Sequence, residues 1–438
     1  MKLEDCLKIH ADSQPDKVAV IYKDESLSYR DLYQRVLAKT NDLLAIGCLQ
    51  GTAFCFKNTQ DIEFLITYFA VHLLGGIAVP LEKEIADDKF NYIQDEYYDF
   101  RPSEDVADIL YTTGTTGKSK GVMISYEAIL ADAENLLHGH GYTDETVFVI
   151  CGPLNHIGSL SKIYPTILAG GTQIILEGFK DFDSFFSALD YPSKKIATFL
   201  VPASIRMLLL LAKSKIAGYK DKIDFIETGA APMPHSDKEK LCELLPNTRL
   251  YNTYASTETG IISTYNFNDG ICKPGCLGKP LKNSMFFLTE DGHVACKGKT
   301  IMSGYALDET KTKQVLHDNT IFTADIGEID EDGMLHLIGR NDDVINVGGY
   351  KISPIEVEDV ALSFPMIKDC ICISVPSSIT GEALKLLFVE ETVDTVKTKE
   401  LARFLDSRLE RYKVPQFYEK VGSIKRTFNG KIDRNYYR

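Results

Sequence analysis

At 438 residues the chain is longer than one ordinary hydrophobic core, so we expect two or more domains. Its hydrophobic fraction of 44% and charged fraction of 25% are typical of soluble globular proteins, and its net charge of −14 argues against nucleic acid as a partner. The first ten residues, MKLEDCLKIH, lack the apolar core of a signal peptide. Ten cysteines without a zinc spacing predict reduced thiols in a cytoplasmic protein.

The N-terminal part of the chain predicts alternating helices and strands. Ser28-Tyr29-Arg30-Asp31 resembles a capping box, and the helix that follows should stop at Gly47. Residues 61–74 predict a second helix, and residues 77–80 a buried strand. This alternation favours a layered α/β fold.

Two stretches nearby need separate interpretation. The apolar stretch 62–81 contains Glu63 and His72 and breaks at a Gly-Gly pair, so it predicts a core helix and a strand, with no membrane span. Residues 82–105 are acidic and aromatic, and we expect an exposed connection with one helical turn there.

Residues 108–125 read DILYTTGTTGKSKGVMIS and place a Gly/Thr-rich loop between two apolar runs. Glycines permit the positive φ values that turn backbone N–H groups inward, and Thr and Lys side chains add donors, so the loop suits an oxyanion such as phosphate. It is not a Walker A motif, because Thr112 stands where the first Gly is required and a strand follows. Alone, such a loop is more often only a turn. The predicted phosphate-binding residues are Thr112, Thr113, Gly114, Thr115, Thr116, Gly117 and Lys120.

Helices and strands continue to alternate beyond this loop. Residues 153–158, PLNHIG, predict a strand-to-loop corner. From about 270 to 340, short strands with Gly-containing turns predict a β-rich layer or barrel. The other predicted elements are helices at 126–138 and 205–213 and strands at 147–150, 173–176, 197–201 and 225–227.

The pattern changes again near Arg340-Asn341-Asp342-Asp343. Beyond it the sequence predicts a helix, two strands and a helix, at 355–364, 368–375, 383–389 and 399–412. This is the content of a small α+β domain. We therefore predict a boundary at Asp342, with domains at 1–341 and 342–438.

Four further stretches follow the loop in a fixed order. They read YNTYASTE at 251–258, FTADIG at 322–327, GRNDD at 339–343 with GGYK at 348–351, and FNGKIDR at 428–434. With the loop they resemble the core motifs of the adenylate-forming superfamily, which contains acyl- and aryl-CoA ligases, firefly luciferase and peptide synthetase adenylation domains. The resemblance covers essentially the whole chain. It implies an α/β fold with a large N-terminal domain of layered α/β subdomains, a β-rich barrel-like part, and a small mobile α+β C-terminal domain.

The resemblance also implies a two-step reaction with ATP, Mg²⁺ and coenzyme A. A carboxylate attacks the α-phosphate of ATP to give acyl-AMP and pyrophosphate, and a thiol then attacks the acyl-AMP. Catalysis of this kind depends on positioning and on stabilising charge. By resemblance, Lys431 would bring a mobile positive charge to the α-phosphate, Thr257 would contact that phosphate, and Glu258 would hold Mg²⁺.

The same resemblance assigns a set of nucleotide contacts. Tyr254 would stack on adenine, Asp325 would accept both ribose hydroxyls, and Arg340 would reinforce Asp325. The remaining predicted contacts with AMP are Gly229, Ala230, Ala231 and Asn252. Asp342 matches the family's hinge, and rotation there would bring Gly348, Gly349 and Lys351 to the thiol.

The predicted acid pocket includes His156, Ile157, Ser161 and Ser204. Amino-acid-activating relatives usually place an Asp immediately after the residue that matches His156. Ile157 stands there, so an α-amino acid is disfavoured. The pocket is mostly apolar and suits a fatty, aryl or small acid. His156 either gates this pocket or is a hydrogen-bonded core histidine.

Three functions fit the motifs. The first is an AMP-forming acid–thiol ligase that uses coenzyme A. The second is a free-standing adenylating enzyme that loads the phosphopantetheine of a separate carrier protein. The third is a nucleotide-binding protein without ligase turnover, against which Lys431, Glu258 and Asp325 argue. The sequence leaves the acid and the oligomeric state open.

Overall fold

The computed structural model describes residues 2–102, 105–112, 120–270, 272–273, 275–392, 395–426 and 432–438. The predicted phosphate-binding residues at 113–117 and Lys431 lie outside these ranges. The helices are α1 (Leu3–Ser13), α2 (Tyr29–Ala45), α3 (Ile62–Leu73), α4 (Asp87–Tyr97), α5 (Tyr126–His140), α6 (Ile157–Ala169), α7 (Phe182–Leu189), α8 (Pro202–Leu211), α9 (Lys213–Ala217), α10 (His235–Leu244), α11 (Glu309–Val315), α12 (Pro354–Leu362) and α13 (Thr398–Asp406).

The strands form three sheets. They are β1 (Val18–Tyr22), β2 (Glu25–Ser28), β3 (Ala53–Lys57), β4 (Ile77–Leu81), β5 (Val106–Thr112), β6 (Lys120–Ser125), β7 (Val147–Ile150), β8 (Thr172–Ile175), β9 (Ile196–Phe199), β10 (Ile223–Thr228), β11 (Arg249–Ser256), β12 (Gly260–Asn266), β13 (Cys276–Pro280), β14 (Ser284–Leu288), β15 (His293–Gly298), β16 (Gly304–Tyr305), β17 (Leu316–His317), β18 (Thr320–Ile329), β19 (Leu335–Arg340), β20 (Ile345–Val347), β21 (Tyr350–Ile352), β22 (Ile367–Ser377), β23 (Gly381–Glu390) and β24 (Phe417–Lys420).

The largest sheet has the strand order β14-β15-β18-β19-β13-β12-β11-β10-β9-β7-β8-β1-β2. Strands β11, β10, β9, β7 and β8 are parallel neighbours, and from β12 to β14 the sheet continues with antiparallel pairs. This antiparallel half is the predicted β-rich part. The carboxyl ends of β9, β10 and β11 meet at one edge, which is where open α/β sheets bind ligands.

A second sheet has the order β16-β6-β5-β4-β3 and carries the predicted phosphate-binding loop. Strands β5 and β6 pair antiparallel, with Thr112 opposite Lys120. Residues 113–119 connect these two strands. Strand β16 pairs with β6 and thereby places Tyr305 beside Val122.

The C-terminal part contains a third sheet, β21-β20-β23-β22, with β24 paired to β23. Helices α12 and α13 pack on it around buried residues such as Ile352, Val357, Leu384 and Leu401. This is the small α+β unit that the sequence predicts. The exact boundary at Asp342 stays a prediction.

Two local expectations are wrong for physical reasons. Residues 82–105 include three turns of helix, α4, whose inner face buries Ile93 and Tyr97. The PLNHIG corner leads directly into helix α6, which the sequence reading missed. Ile157, Leu160, Tyr164 and Ile167 follow a helical spacing in α6, but the helix contains Pro165, a residue that usually breaks a helix.

The predicted capping box at the start of α2 is confirmed. Ser28 Oγ accepts from the Asp31 N–H, and Asp31 Oδ2 accepts from the Ser28 N–H. Among the described residues, no helix combines the length and apolar character needed to cross a bilayer.

Candidate active site

A hydrogen bond joins the phosphate-loop sheet to the large sheet. The Tyr305 hydroxyl donates to Oε1 of Glu258 at 3.0 Å, and the Lys120 ammonium lies 5.4 Å from the centroid of the Tyr305 ring. Burial and the nearby Glu258 carboxylate raise the pKa of Tyr305, so the phenol remains a neutral donor. Both ends of the predicted phosphate loop, Thr112 and Lys120, therefore lie near the predicted magnesium ligand.

The turn between β11 and β12 fixes Thr257 and Glu258. The Ser256 N–H donates to Oγ1 of Thr259 at 3.1 Å, and the Thr259 N–H donates to Oγ of Ser256 at 3.0 Å. Gly260 ends the turn at φ +64°, where a Cβ would lie 2.7 Å from the Thr300 carbonyl oxygen. Glycine is therefore required here.

A buried carboxylate supports the same turn from α5. Asp132 Oδ1 accepts from the Ile261 N–H at 2.8 Å. Burial raises the pKa of Asp132 to about 7. The Glu258 turn thus rests on a group that titrates near neutral pH.

Two residues predicted to bind adenosine contact each other. The Tyr254 hydroxyl donates to Oδ2 of Asp325 at 2.6 Å, and Arg340 Nε lies 3.9 Å from Oδ1. Asp325 and Arg340 are also opposite each other in the register of β18 and β19. Burial and the Asp325 carboxylate raise the pKa of Tyr254, which keeps it a donor. Tyr254 and Arg340 therefore hold the Asp325 carboxylate from two sides.

The predicted AMP contacts after β10 have an unusual backbone. A Cβ on Gly229 would lie 2.8 Å from the Thr253 carbonyl oxygen, and Ala230 adopts φ +66°. Ala231 follows in the same turn, next to the strand that carries Asn252. Asn252 is buried, and its amide donates to the Cys276 carbonyl at 3.3 Å, which gives it a structural partner. This tight turn lies at the carboxyl edge of the sheet, where open α/β sheets bind ligands.

The predicted acid-pocket residues lie on two helices near this edge. His156 and Ile157 form the start of α6, Ser161 lies one turn further along it, and Ser204 lies on α8. Among the described residues, the buried Ser161 hydroxyl has no hydrogen-bond partner. His156 occupies the N-cap position without a side-chain cap, and the choice between its two predicted roles stays open.

Sequence reasoning missed two charged side chains beside this pocket. Lys162 Nζ donates to Oε1 of Glu227 at 2.7 Å, and both side chains are buried. In the sequence, Lys162 and Glu227 are each a single charge within an apolar run. This pattern could have identified them as partners, because a buried charge is rare unless it is paired.

The predicted hinge and thiol-side residues lie on the small part. Asp342 is exposed in a turn, and Arg438 donates to its carbonyl oxygen at 2.7 Å. Gly348 and Gly349 adopt φ +58° and +94° in the turn between β20 and β21, and Lys351 is exposed on β21. Glycine adopts such positive φ values more readily than other residues, so the two glycines suit this turn.

The two residues that flank the Lys431 segment approach the large part. Arg426 and Ile432 form an antiparallel bridge, and Arg426 Nη2 lies 2.7 Å from Oδ2 of Asp369. Asp369 in turn lies 3.8 Å from Nη1 of Arg206 on α8. Arg426 is thus linked through Asp369 and Arg206 to α8, the helix that carries Ser204.

The described residues hold no cluster of three or more His, Cys, Asp or Glu side chains with metal-binding geometry. Glu258 nevertheless fits Mg²⁺, because this ion is commonly held by one or two carboxylates together with substrate phosphates. The hydrogen bond from Tyr305 to Oε1 orients that carboxylate.

Comparisons with known proteins agree over most of the chain. The family described as AMP-binding enzyme matches residues 7–97 and 94–306, and the AMP-binding enzyme C-terminal domain matches residues 356–431. A 2-succinylbenzoate–CoA ligase of Bacillus cereus is 26% identical over 446 aligned residues, which cover 92% of this chain and 91% of that protein.

Solved structures show the same fold. MatB of Rhodopseudomonas palustris with bound ATP has a TM-score of 0.88 and 23% identity, with coverage of 100% of this chain and 98% of that chain. The o-succinylbenzoate CoA synthetase of Bacillus subtilis, in complex with its acyl-adenylate intermediate, has a TM-score of 0.85 and 23% identity, with coverage of 99% and 97%. The predicted fold class is confirmed.

Proposed function

This chain belongs to the AMP-binding enzyme family, and we propose on that premise that it is an AMP-forming acid–thiol ligase. It activates a carboxylic acid with ATP, releases pyrophosphate, and transfers the acyl group to coenzyme A. The 2-succinylbenzoate–CoA ligases with which it aligns along nearly their whole length support this assignment.

One observation carries the proposal. Residues that the reaction needs come together where the carboxyl edge of the large sheet meets the sheet that carries the predicted phosphate loop. Lys120 pairs with Thr112 and lies beside Tyr305, whose hydroxyl donates to Glu258 in the turn after β11. Strand β11 itself carries Tyr254, whose hydroxyl donates to Asp325. ATP spans these residues from its triphosphate to its ribose.

Each group has a specific task in acid activation. Lys120 and Thr112 lie at the triphosphate end, where pyrophosphate departs. Asp325 accepts from the ribose hydroxyls, and Arg340 and Tyr254 keep its carboxylate oriented. With Glu258 as its protein ligand, Mg²⁺ supplies positive charge to the phosphates.

Lys431 provides the group that acts at the reacting atoms. Its ammonium neutralises negative charge that grows on the α-phosphate and the attacking carboxylate oxygen. The flanking residue Arg426 is linked to α8 through Asp369 and Arg206, which supports a position of this segment on the side of the small part that faces α8.

We further propose that the chain divides at Asp342 and that the small domain rotates there between the two steps. The small part has its own sheet and hydrophobic core, which supports a separate body. Rotation withdraws Lys431 and brings the Gly348, Gly349 and Lys351 segment to the thiol. The ten free cysteines support the proposed cytoplasmic location.

A pyrophosphate-release screen over carboxylic acids, with and without coenzyme A, tests this function. We expect ATP-dependent release with at least one acid and an acyl-CoA product when coenzyme A is present. An acyl-AMP that accumulates with coenzyme A but transfers to a phosphopantetheinylated carrier protein would favour the carrier-loading alternative. No release with any acid would favour nucleotide binding without turnover.

A further inference from the structure

A buried ion pair lies on the face of the large sheet that packs against α6. The side chains of Lys162 and Glu227 are 2% and 0% exposed, and their 2.7 Å contact joins Nζ to Oε1. Glu227 is the penultimate residue of β10 and pairs with Phe199, the last residue of β9. The ion pair therefore lies directly below the carboxyl edge that carries the candidate active site.

Phe199 connects this pair to the predicted acid and nucleotide positions. A Cβ on Gly158 would lie 3.3 Å from Cε1 of the Phe199 ring, and a Cβ on Gly229 would lie 3.8 Å from Cε2. The Lys162 ammonium lies 5.0 Å from the centroid of the same ring. Gly158 lies two residues after His156, and Gly229 is a predicted AMP contact. The Phe199 ring therefore lies between the predicted acid and AMP positions, and the Lys162 ammonium lies next to this ring.

The pair has hydrogen-bonding capacity that the described residues leave unfilled. Of the three donors on the Lys162 ammonium, one is used by Glu227 among these residues. Oε2 of Glu227 has no hydrogen-bond partner there, because Nδ1 of His140 is 3.6 Å away. Burial lowers the pKa of His140 to about 4, so this ring is neutral at pH 7. Unsatisfied hydrogen-bond donors and acceptors on buried ions cost free energy unless a ligand or a water molecule bonds to them.

We propose that Lys162 and Glu227 form the inner end of the acid pocket and select an acid whose tail carries a hydroxyl or a similar uncharged group. This inference rests on the ligase function proposed above. The ammonium of Lys162 donates to the oxygen of that group, and Oε2 of Glu227 accepts its proton.

Charge balance excludes the other tails. A second carboxylate would face Glu227, and an ammonium would face Lys162, so either brings a like charge into a buried site. An alkyl tail would leave hydrogen-bonding groups of both ions unsatisfied. A site that binds a substrate hydroxyl rejects the analogue that lacks this hydroxyl. The neutral pair therefore favours a neutral tail that can both donate and accept.

The test measures kcat/KM for pyrophosphate release with hydroxy acids and straight-chain acids of equal carbon number, from three to six carbons. For the wild type we expect the best hydroxy acid to exceed its alkyl partner by about 10- to 100-fold, the effect of an unfilled buried polar group. In the double variant Lys162→Met/Glu227→Leu this ratio should fall to about one or invert. Replacing both ions together avoids leaving one buried charge unpaired, which is the change that most threatens folding.

The matched control is Lys413→Met/Glu356→Leu, which removes a 2.7 Å Lys–Glu pair in the small part and should keep the wild-type ratio. Equal kcat/KM for the two acids with the wild type overturns the inference and leaves the ligase function intact. An unchanged preference in the folded double variant also overturns it. No release with any acid overturns the proposed function and the inference together. If the double variant does not fold, the wild-type ratio decides.

Discussion

Tyr305 donates a 3.0 Å hydrogen bond to Glu258, and this bond links the sheet that carries the predicted phosphate loop to the sheet that carries the predicted adenosine contacts. Tyr305 lies on β16, which pairs with β6 directly after the loop. Glu258 lies in the turn after β11. The contact sets the distance between the two halves of the candidate ATP site.

Tyr305→Phe should weaken the use of Mg²⁺ without unfolding the protein. The change removes the donor that orients Glu258, and hydrogen bonds to charged groups contribute about 1.5–3 kcal/mol. Because Glu258 is partly exposed, we expect the lower end, about a tenfold loss in kcat/KM for pyrophosphate release, with more Mg²⁺ needed for half-maximal rate. The control is Tyr22→Phe, which removes a 2.6 Å bond to Glu177 far from the site. An unchanged Mg²⁺ dependence would contradict the assigned role of Tyr305.

Tyr254 and Asp325 should act as a unit in AMP binding. Their 2.6 Å hydrogen bond orients the carboxylate for the ribose, so each single change removes part of the same interaction. In a cycle of Tyr254→Phe, Asp325→Asn and the double variant, we expect a coupling free energy of about 0.5–3 kcal/mol from AMP dissociation constants measured by calorimetry. Additive losses would show that the two residues bind AMP independently.

Asp132→Asn should change the pH dependence of stability. Asp132 has a pKa of about 7 in the folded state and an ordinary value of 3.8, so the native chain keeps its proton at higher pH than the unfolded chain. The wild-type free energy of unfolding should therefore fall between about pH 4 and 7, by about 1.4 kcal/mol per pH unit at most. The Asn amide can still accept from the Ile261 N–H and does not titrate.

Urea unfolding of both proteins at pH 5 and pH 8 checks this. The variant should gain stability relative to the wild type at pH 8. An equal difference at the two pH values would mean that Asp132 does not titrate in this range.

Lys431→Ala should separate the two half-reactions. Loss of the ammonium should lower acyl-AMP formation by at least about 100-fold, as removal of a preorganised charge-stabilising donor does. Thioester formation from supplied acyl-AMP should remain largely intact, because Lys431 has no task in that step. Lys425→Ala, an exposed change in the same C-terminal segment, is the control. Equal loss of both half-reactions would refute the role of Lys431.

The motifs correctly predict the family and the α/β fold, because both depend on local sequence. The strand–loop–strand pattern around Thr112 correctly excludes a Walker A helix, and β6 follows the loop. The capping box at Ser28 is likewise a local signal. The assigned roles of all the site residues stay predictions, and residues 113–117 and Lys431 also lie outside the described structure.

Features that depend on tertiary packing could not be predicted. Helix α6 contains Pro165, which usually breaks a helix, and tertiary packing buries most of its residues. The ion pair of Lys162 and Glu227 joins residues 65 positions apart, and only the packing of α6 on β10 brings them together. The hydrogen bond from Tyr305 to Glu258 likewise depends on the placement of β16 beside β6.

The central claim is that the reaction passes through an acyl-adenylate, and the most direct test is the transfer of an ¹⁸O label from the acid to AMP. The acid that gives the fastest pyrophosphate release is supplied with ¹⁸O in its carboxylate, together with ATP, Mg²⁺ and coenzyme A, and the products are analysed by mass spectrometry. Attack of the carboxylate on the α-phosphate predicts one ¹⁸O atom in AMP, unlabelled pyrophosphate and one acyl-CoA for each AMP. Unlabelled AMP, or ADP with labelled phosphate, would contradict an acyl-adenylate route.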